Sequence, residues 1–257
     1  MDLSDKKAVI TGSTSGIGLG IAEGLAATGA DIVLNSFTDT DNDHDLARDI
    51  ARKFGVSVEY LQADLSDGQT ARVLVERAGA CDILVNNAGV QHVAPIEDFP
   101  VESWNFIQSL MLSAVFHTTA AALPKMRKAG WGRVINIASA HGLTASPYKS
   151  AYVAAKHGMV GLTKVTALET AEVDITANAI CPGYVRTPLI EAQIPATMEE
   201  YGMDRKTVIR EVMLTRQPSK QFVGTDQLGG IAVFLCSDHA AQITGTTISA
   251  DGGWTAL

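Results

Sequence analysis

The sequence has few of the residues that mark disulfide-rich or metal-dependent proteins. Its 257 residues include only three cysteines, Cys81, Cys181 and Cys236, which are far apart, odd in number and set in apolar sequence. Neither a disulfide framework nor a metal-ligand spacing is visible, so we expect buried thiols in a reducing cytoplasm. The histidines form no spacing such as HExxH, and no metal site is predicted.

Positive charge is also scarce. The chain has 20 Lys and Arg against 28 Asp and Glu, a formal net charge of -8 at pH 7. Nucleic acids and anionic membrane surfaces bind basic patches, so neither is an expected partner and a small diffusible ligand is favoured. The start, MDLSDKKAVITG, has no long apolar run behind a basic segment, and no run of about eighteen apolar residues occurs. We therefore expect neither a signal peptide nor a membrane span.

Short apolar runs rich in β-branched residues alternate with longer helical patterns. The runs read KAVIT, DIVLN, VEYLQ, DILVN, RVINIA, ITANAI and TTISA, with enough residues between them for crossover helices. This alternation predicts a Rossmann-type, doubly wound α/β fold of about seven parallel strands with helices on both faces. The pattern persists from residue 7 to residue 249 without a linker, so residues 1–257 are interpreted as a single domain.

One interval supplies no strand. Residues 190 to 218 carry a charge-rich, Met-bearing helical pattern that includes IPATMEEYGMDRKTVIREVMLTRQ. Insertions near the carboxyl ends of parallel strands commonly cover a ligand crevice. We predict a small helical lid over about residues 187–218.

A glycine-rich turn follows the first apolar run. In TGSTSGIG, Gly12, Gly16 and Gly18 open a helix that starts near Ser15. Glycines here let the backbone approach a pyrophosphate and place that anion at a helix N-terminus. Such a turn is weak evidence alone, and its position directly after the first strand strengthens the prediction of a nucleotide site.

A second cluster of reactive residues lies in SAHGLTASPYKSAYVAAKHG, residues 139 to 158. Tyr152 and Lys156 stand four residues apart and share one face of a helix. A tyrosine hydroxyl has a pKa of about 10, and an ammonium group one turn away favours the phenolate, so this pair can move a proton. YxxxK is common on ordinary helices, and the presence of Ser139 and the glycine turn favours the catalytic interpretation.

Taken in order, these motifs resemble the short-chain dehydrogenase/reductase family over the full chain. The matches are TGxxxGxG, Asp64 after the third strand, NNAG at 86 to 89, INIASA with Ser139, YxxxK, and CPGYVRTP at 181 to 188. The resemblance implies hydride transfer with a nicotinamide cofactor. It implies that Tyr152 is the acid/base, that Ser139 positions the substrate oxygen, and that Lys156 tunes Tyr152 and holds the nicotinamide ribose.

The resemblance also implies a cofactor site with Asp64 and Leu65 beside the adenine. The implied contacts are Gly12, Thr14, Ser15, Gly16, Ile17, Gly18, Phe37, Asp64, Leu65, Asn87, Ala88, Gly89, Tyr152, Lys156, Pro182, Val185 and Thr187. An alternative for Asp64 is the N-cap of the following helix. Residues 35 to 43 contain no Arg or Lys for a 2′-phosphate, and Asn35, Ser36 and Phe37 suit an uncharged hydroxyl, so NAD is predicted rather than NADP.

A narrower resemblance is to the bacterial D-3-hydroxybutyrate dehydrogenases. It is carried by NNAGVQHVAPIE, ASAHGL, KSAYVAAKHG, CPGYVRTPLIEAQI, QPSKQFV and the ending DGGWTAL. It implies oxidation of (R)-3-hydroxybutyrate to acetoacetate, in either direction, by a homotetramer. The implied substrate contacts are Gln91, Ser139, His141, Lys149, Tyr152, Tyr184 and Gln193.

The carboxylate of such a substrate would meet Gln91, His141, Lys149 and Gln193. Charge-assisted hydrogen bonds from Lys149 and a protonated His141 suit that anion. Each residue also has an ordinary interpretation, as a partly buried histidine, a helix-start lysine or a surface glutamine. Trp254 is a candidate for an apolar wall of the pocket and equally for a core residue.

One position departs from the family pattern. Met111 stands where the family usually has an asparagine that helps hold a water chain between the lysine and solvent. A thioether cannot replace the donors of an amide, so a weakened proton relay is expected. The alternatives left open are another 3-hydroxy acid, a 3-oxoacyl group on a carrier, and an NAD-binding protein of weakened catalysis.

Overall fold

The computed structural model describes residues 1–257 and contains one sheet of seven parallel strands. The strands are β1 Lys7–Ile10, β2 Asp31–Ser36, β3 Val58–Gln62, β4 Ile83–Asn86, β5 Trp131–Ile137, β6 Asp174–Pro182 and β7 Thr247–Ala250. Their order across the sheet is β3-β2-β1-β4-β5-β6-β7. The predicted fold class is confirmed, and the predicted runs differ from these strands only at their ends.

The central strands are apolar on successive residues because both faces of the sheet are covered. Ile10 of β1 pairs in register with Leu34 of β2 and Val85 of β4. The side chain of Ile10 joins one buried cluster and that of Val9 joins another, on opposite faces. This alternation gives the domain two cores, one on each side of the sheet.

The helices form two layers around the sheet. They are α1 Gly16–Ala26, α2 Asp41–Phe54, α3 Gly68–Arg77, α4 Val101–Gln108, α5 Ala114–Ala129, α6 Ser150–Glu169, α7 Pro188–Tyr201, α8 Arg205–Thr207 and α9 Thr225–Cys236. Buried residues of α1, α2 and α9 share one core, and those of α3, α5 and α6 share the other. Helices α1 and α9 approach closely at Gly24, where a Cβ would lie 3.1 Å from the Cα of Gly229.

Helices α4 and α5 are joined by a π-helical turn, Ser109–Ser113. The continuous helix Val101–Ala129 is, by length and composition alone, long and apolar enough to cross a membrane. Its residues Ala122 and Met126 are fully buried in the core beneath the sheet. The apolar character of this helix therefore serves the packing of the α/β domain.

The predicted lid interval is helical and supplies no strand to the sheet. It contains α7, α8 and a second π-helical turn, Val208–Met213. Ile194, Val208 and Met213 form a small apolar cluster separate from the two sheet cores. Glu191 of α7 accepts hydrogen bonds from Arg186 (2.8 Å) and Arg205 (2.5 Å), which ties the two lid helices together.

Candidate active site

A cavity of ≈ 750 Å³ lies beyond the carboxyl ends of the strands. The strand order reverses between β1 and β4, and open α/β sheets bind ligands at such a point. The predicted site residues that line the cavity are Gly12, Thr14, Ser15, Gly16, Ile17, Phe37, Asp64, Leu65, Asn87, Ala88, Gly89, Gln91, Ser139, His141, Lys149, Tyr152, Lys156, Tyr184, Val185 and Thr187. The structure thus brings most of the predicted site together.

Three predicted residues do not line this cavity. A Cβ at Gly18 would overlap the carbonyl of Gly12, so Gly18 permits α1 to pack closely against the turn. Pro182 is the last residue of β6 and lies within the sheet. Gln193 is exposed on α7, one turn beyond the cavity-lining Ile190 and therefore about 5 Å farther along the helix. The substrate contact of Gln193 stays a prediction, since the residue does not line the cavity in this structure.

The turn after β1 has the form of an anion cradle. Ser15 precedes α1 in an extended conformation, and its side chain makes no capping hydrogen bond. The first N–H groups of α1 therefore have no side-chain acceptor where the helix begins beside the cavity. Gly12 has φ +58, and a Cβ there would lie 2.9 Å from the Cα of Ala88. Only glycine tolerates both this positive φ and this close approach of the backbone. The resulting cradle fits a pyrophosphate.

Hydrogen bonds hold the NNAG segment against this turn. The hydroxyl of Thr11 accepts hydrogen bonds from the backbone N–H groups of Asn87 (2.9 Å) and Ala88 (3.1 Å). The Asn87 amide in turn donates to the carbonyl of Gly12 (2.7 Å). These bonds join the ends of β1 and β4 and give the middle of the cavity a rigid floor.

Asn35 has a bracing role that the sequence did not reveal. It is 1% exposed, and its amide donates to the carbonyls of Leu61 (3.0 Å) and Ala63 (3.3 Å), while its Oδ1 accepts from the N–H of Gly12 (3.3 Å). The side chain joins β2, β3 and the glycine turn. Asn35 also lines the cavity, together with Ser36 and the largely exposed Phe37.

Asp64 lies at the same end of the cavity. Its carboxylate accepts a hydrogen bond from the N–H of Ser66 (2.9 Å). Helix α3 is capped instead by Asp67, which accepts from the N–H of Thr70 (2.7 Å). The N-cap alternative for Asp64 is therefore wrong, and the residue is a wall of the cavity.

Tyr152 and Lys156 occupy the other end, as neighbours on α6. Lys156 is 3% exposed, its Nζ donates to the carbonyl of Ile137 (2.6 Å), and burial lowers its pKa to about 8. Burial raises the pKa of Tyr152, and the neighbouring Ser139 hydroxyl opposes that rise. The predicted lowering of the pKa of Tyr152 by Lys156 together with the charge of a nicotinamide stays a prediction; in the chain alone the buried amine is directed to the strand carbonyl.

Ser139 is held at the end of β5 by the short turn that follows it. Its Oγ accepts a hydrogen bond from the backbone N–H of His141 (3.1 Å). The hydroxyl proton of Ser139 remains available to an oxygen in the cavity. Ser139 and Tyr152 can therefore address the same substrate oxygen, one as a donor and the other as an acid or base.

His141 is buried against aromatic rings. Its ring lies edge-on to Tyr152 (5.9 Å between centres) and Trp254 (5.1 Å), and its Nε2 contacts the Ser146 hydroxyl (2.8 Å). Burial, reinforced by the charges of Lys149 and Arg216, lowers the pKa of His141 to about 4. The expectation of a protonated His141 at neutral pH is wrong, because a buried ring beside two cations resists a further charge.

Lys149 supplies positive charge at this end of the cavity. It immediately precedes α6, and burial lowers its pKa. Tyr184 and Trp254 stack 5.9 Å apart with an interplanar angle of 15° and form an aromatic wall beside it. A small anion with an apolar portion suits this combination of one cation, neutral polar groups and aromatic rings.

Met111 lies in the π-helical turn and is fully buried. It packs with Ile107, Ala151 and Ala155, and a Cβ on Gly89 would lie 3.3 Å from its terminal methyl. The thioether therefore fills space between α6 and the cavity floor with apolar atoms. Sequence reasoning missed further apolar lining residues that no motif marks: Val90, Phe106, Leu110, Ile137, Ala138, Leu189 and Ile190.

No group of three or more His, Cys, Asp or Glu side chains is arranged to hold a metal ion. The three cysteines are free and buried, and burial raises the pKa of Cys181, below the cavity, to about 11. These thiols are protonated at neutral pH and are not nucleophiles. The reactive groups of the site are the hydroxyls, the lysines and the histidine described above.

Comparison with known proteins agrees with this geometry. A family model described as enoyl-(acyl carrier protein) reductase matches residues 12–255. The D-beta-hydroxybutyrate dehydrogenase of Rhizobium meliloti (strain 1021) is 54% identical over 98% of this chain and 99% of its own length. The protein of the same name from Cupriavidus necator is 53% identical over 99% of each chain. L-sorbose reductase from Gluconobacter frateurii, solved with NADPH and L-sorbose, is 34% identical over 100% of this chain and 99% of its own, with a TM-score of 0.94.

Proposed function

Since the chain belongs to the short-chain dehydrogenase/reductase family, we propose that it oxidises (R)-3-hydroxybutyrate to acetoacetate with NAD, and catalyses the reverse reaction when NADH is abundant. One observation carries the proposal: Ser139, Tyr152 and Lys156 share a cavity with Lys149 and a wall of two aromatic rings. Ser139, Tyr152 and Lys156 suit an alcohol. Lys149 and the aromatic wall suit a short chain that ends in a carboxylate. Sequence identity of 54% and 53% with two D-beta-hydroxybutyrate dehydrogenases, over nearly the full chain, supports this substrate.

The cofactor proposal rests on the cradle at the start of α1 and on the adenine end of the cavity. The cradle at the start of α1 suits the pyrophosphate, and the adenine end has neither Lys nor Arg among its lining residues. The segment after β2 carries Asp39, Asp41, Asp43 and Asp45 before its first arginine, Arg48. A 2′-phosphate would approach these carboxylates with no cation to meet it, which favours NAD.

The proposed proton transfer uses three side chains. When bound, an oxidised nicotinamide would supply the hydride acceptor for the alcohol carbon and a positive charge. That charge and the Lys156 ammonium would offset the rise in the pKa of Tyr152 that burial causes. Tyr152 then takes the alcohol proton while the Ser139 hydroxyl holds the same oxygen. In the reverse direction Tyr152 returns the proton.

The carboxylate end is proposed to lie against Lys149, with neutral hydrogen bonds from His141 and Gln91. Lys149 and Lys156 both line the cavity, and Lys149 is the cation left for the carboxylate because the Lys156 Nζ donates to the carbonyl of Ile137. Gln193 joins this set only after an inward movement of α7. The lid is therefore proposed to close over the bound acid and complete its hydrogen bonds.

The proposal extends to the assembly and location of the protein. Apolar side chains are exposed on the long helices, with Phe116 on α5 at 49% and Leu168 on α6 at 78%, and Phe234 on α9 at 43%. Large apolar side chains exposed on long helices favour burial between subunits. We propose a homotetramer in the cytoplasm, where its free cysteines stay reduced.

Replacing the cavity cation tests the carboxylate end. Lys149→Met is expected to raise KM for (R)-3-hydroxybutyrate by about tenfold or more, the size of a lost charged hydrogen bond. Turnover of 2-butanol, which has a methyl in place of the carboxylate, should change little. Lys164→Met removes an exposed lysine from α6, the helix that Lys149 precedes, and serves as the control. An equal loss with both substrates would contradict the proposed contact.

A further inference from the structure

Arg216 lies outside the cavity and differs from the neighbouring lid arginines. Arg205 and Arg210 each pair with a glutamate, whereas Arg216 has no carboxylate within salt-bridge distance. Its Nη1 instead donates to the carbonyl of Ala145 (2.9 Å) and to the hydroxyl of Ser146 (3.2 Å). An uncompensated cation is thus directed at the loop that precedes the proton-transfer helix.

The turn that carries this arginine is braced on both sides. Gln217 is 1% exposed, and its Oε1 accepts from the N–H of Tyr184 (3.0 Å), next to the cavity wall. Lys220 adopts a left-handed backbone conformation, φ 53, and its Nζ donates to the carbonyl of Leu214 (2.9 Å). The position of Arg216 is therefore determined by a rigid turn as well as by its own long side chain.

The contact continues from the arginine to His141. The Ser146 hydroxyl lies 2.8 Å from the His141 Nε2. An arginine only donates, so it occupies one of the two acceptor sites on the hydroxyl oxygen and favours onward donation of the hydroxyl proton. Nε2 of His141 is the acceptor that the structure offers. A neutral ring that accepts at Nε2 carries its proton on Nδ1.

We propose that Arg216 is a positioning residue which, through Ser146, holds His141 as a neutral ring with its proton on Nδ1, ready to donate to the substrate carboxylate. The carboxylate in this statement rests on the proposed function. The opposite tautomer would present a lone pair to the anion and repel it. The charged and titratable groups that face the ring are Lys149, Arg216, His157 and Tyr152.

The tautomer can be measured without turnover. Nitrogen NMR of the histidine rings distinguishes Nδ1–H from Nε2–H, and the spectrum of His141→Asn assigns the His141 signals. We expect the Nδ1–H form in the unaltered protein at neutral pH and a mixture of forms in Arg216→Ala. Arg216→Lys should restore the Nδ1–H form in part, and Arg210→Ala, a loss of arginine from the same segment, should leave it unchanged. An unchanged His141 spectrum in Arg216→Ala would overturn the inference.

Kinetics give a second readout. Arg216→Ala should raise KM for (R)-3-hydroxybutyrate by about tenfold, as for a weakened hydrogen bond to a charged group, with little change in kcat. Removing a neighbouring cation raises the pKa of His141, so KM of the variant should fall as the pH drops from about 8 to about 5 and the ring gains a proton. The unaltered protein should show a flat KM over that range.

The two proposals fail in different ways. If the unaltered protein turns over no hydroxy acid, the proposed function fails, while the NMR result still decides the role of Arg216. If turnover is normal but Arg216→Ala matches the Arg210→Ala control in both KM and spectrum, only the inference fails. A fall in kcat with unchanged KM would also contradict it, because that pattern indicates a general disturbance of α6.

Discussion

The Nζ of Lys156 lies 5.7 Å from the centre of the Tyr152 ring while it donates a 2.6 Å hydrogen bond to the carbonyl at the end of β5. The lysine therefore links the proton-transfer helix to the sheet. Its low exposure and its pKa of about 8 follow from that position. Tyr152 and Lys156 are therefore preorganised for proton transfer. The tyrosine hydroxyl carries the proton, and the lysine ammonium is held near the tyrosine ring.

Tyr152→Phe removes the hydroxyl and keeps the ring that packs against His141. We expect kcat to fall by about 10² to 10⁴, the usual contribution of a positioned acid or base. NADH binding, measured by fluorescence titration, should weaken much less than kcat falls. Tyr201→Phe, an exposed tyrosine at the end of α7, is the matched control. A variant that retains most of its kcat would remove Tyr152 from the mechanism.

His141 should make the fold sensitive to acid. Its pKa is about 4 in the folded chain against 6.5 for a free histidine, so between these values the unfolded chain binds more protons. Stability therefore rises with pH across this window and is lost as the pH falls through it. His141→Asn should show a shallower loss of the thermal midpoint from pH 6.5 to about pH 4 than the unaltered protein. Parallel curves for the two proteins would show that His141 does not set this dependence.

Met111→Asn tests the role of the apolar side chain in the π-helical turn. Burying an amide among Ile107, Ala151 and Ala155 should lower stability by about 1 to 3 kcal/mol, because its polar atoms find few partners there. If the thioether weakens the proton relay, the asparagine variant should also give faster proton transfer, seen in the pH profile and solvent isotope effect. An unchanged rate and pH profile would show that the backbone of residue 111 is sufficient.

The strands were predictable because parallel strands covered on both faces are apolar on successive residues. The run VEYLQ coincides with Val58–Gln62. The glycine turn was predictable because steric limits at Gly12 leave few other residues. The groups around Tyr152 and Lys156 were predicted by resemblance, and the fold then placed Ser139 beside them.

The charge state of His141 was not predictable, because it depends on burial and on Arg216, which lies 75 residues farther along the chain. The hydrogen-bond acceptor of Lys156 was not predictable either, since a backbone carbonyl at the end of β5 has no sequence signature. Gln193 shows a third limit. The motif gives the position of Gln193 in the sequence, whereas the distance of Gln193 from the cavity depends on where the lid lies.

The central claim concerns one alcohol and one cofactor, and initial-rate spectroscopy of NADH formation tests it most directly. The substrates are (R)-3-hydroxybutyrate, its (S) enantiomer and a longer 3-hydroxy acid, each assayed with NAD and with NADP. The account predicts rapid turnover of the (R) acid with NAD and weak turnover in every other combination. Preference for the longer acid, for NADP, or no turnover despite NAD binding would contradict it.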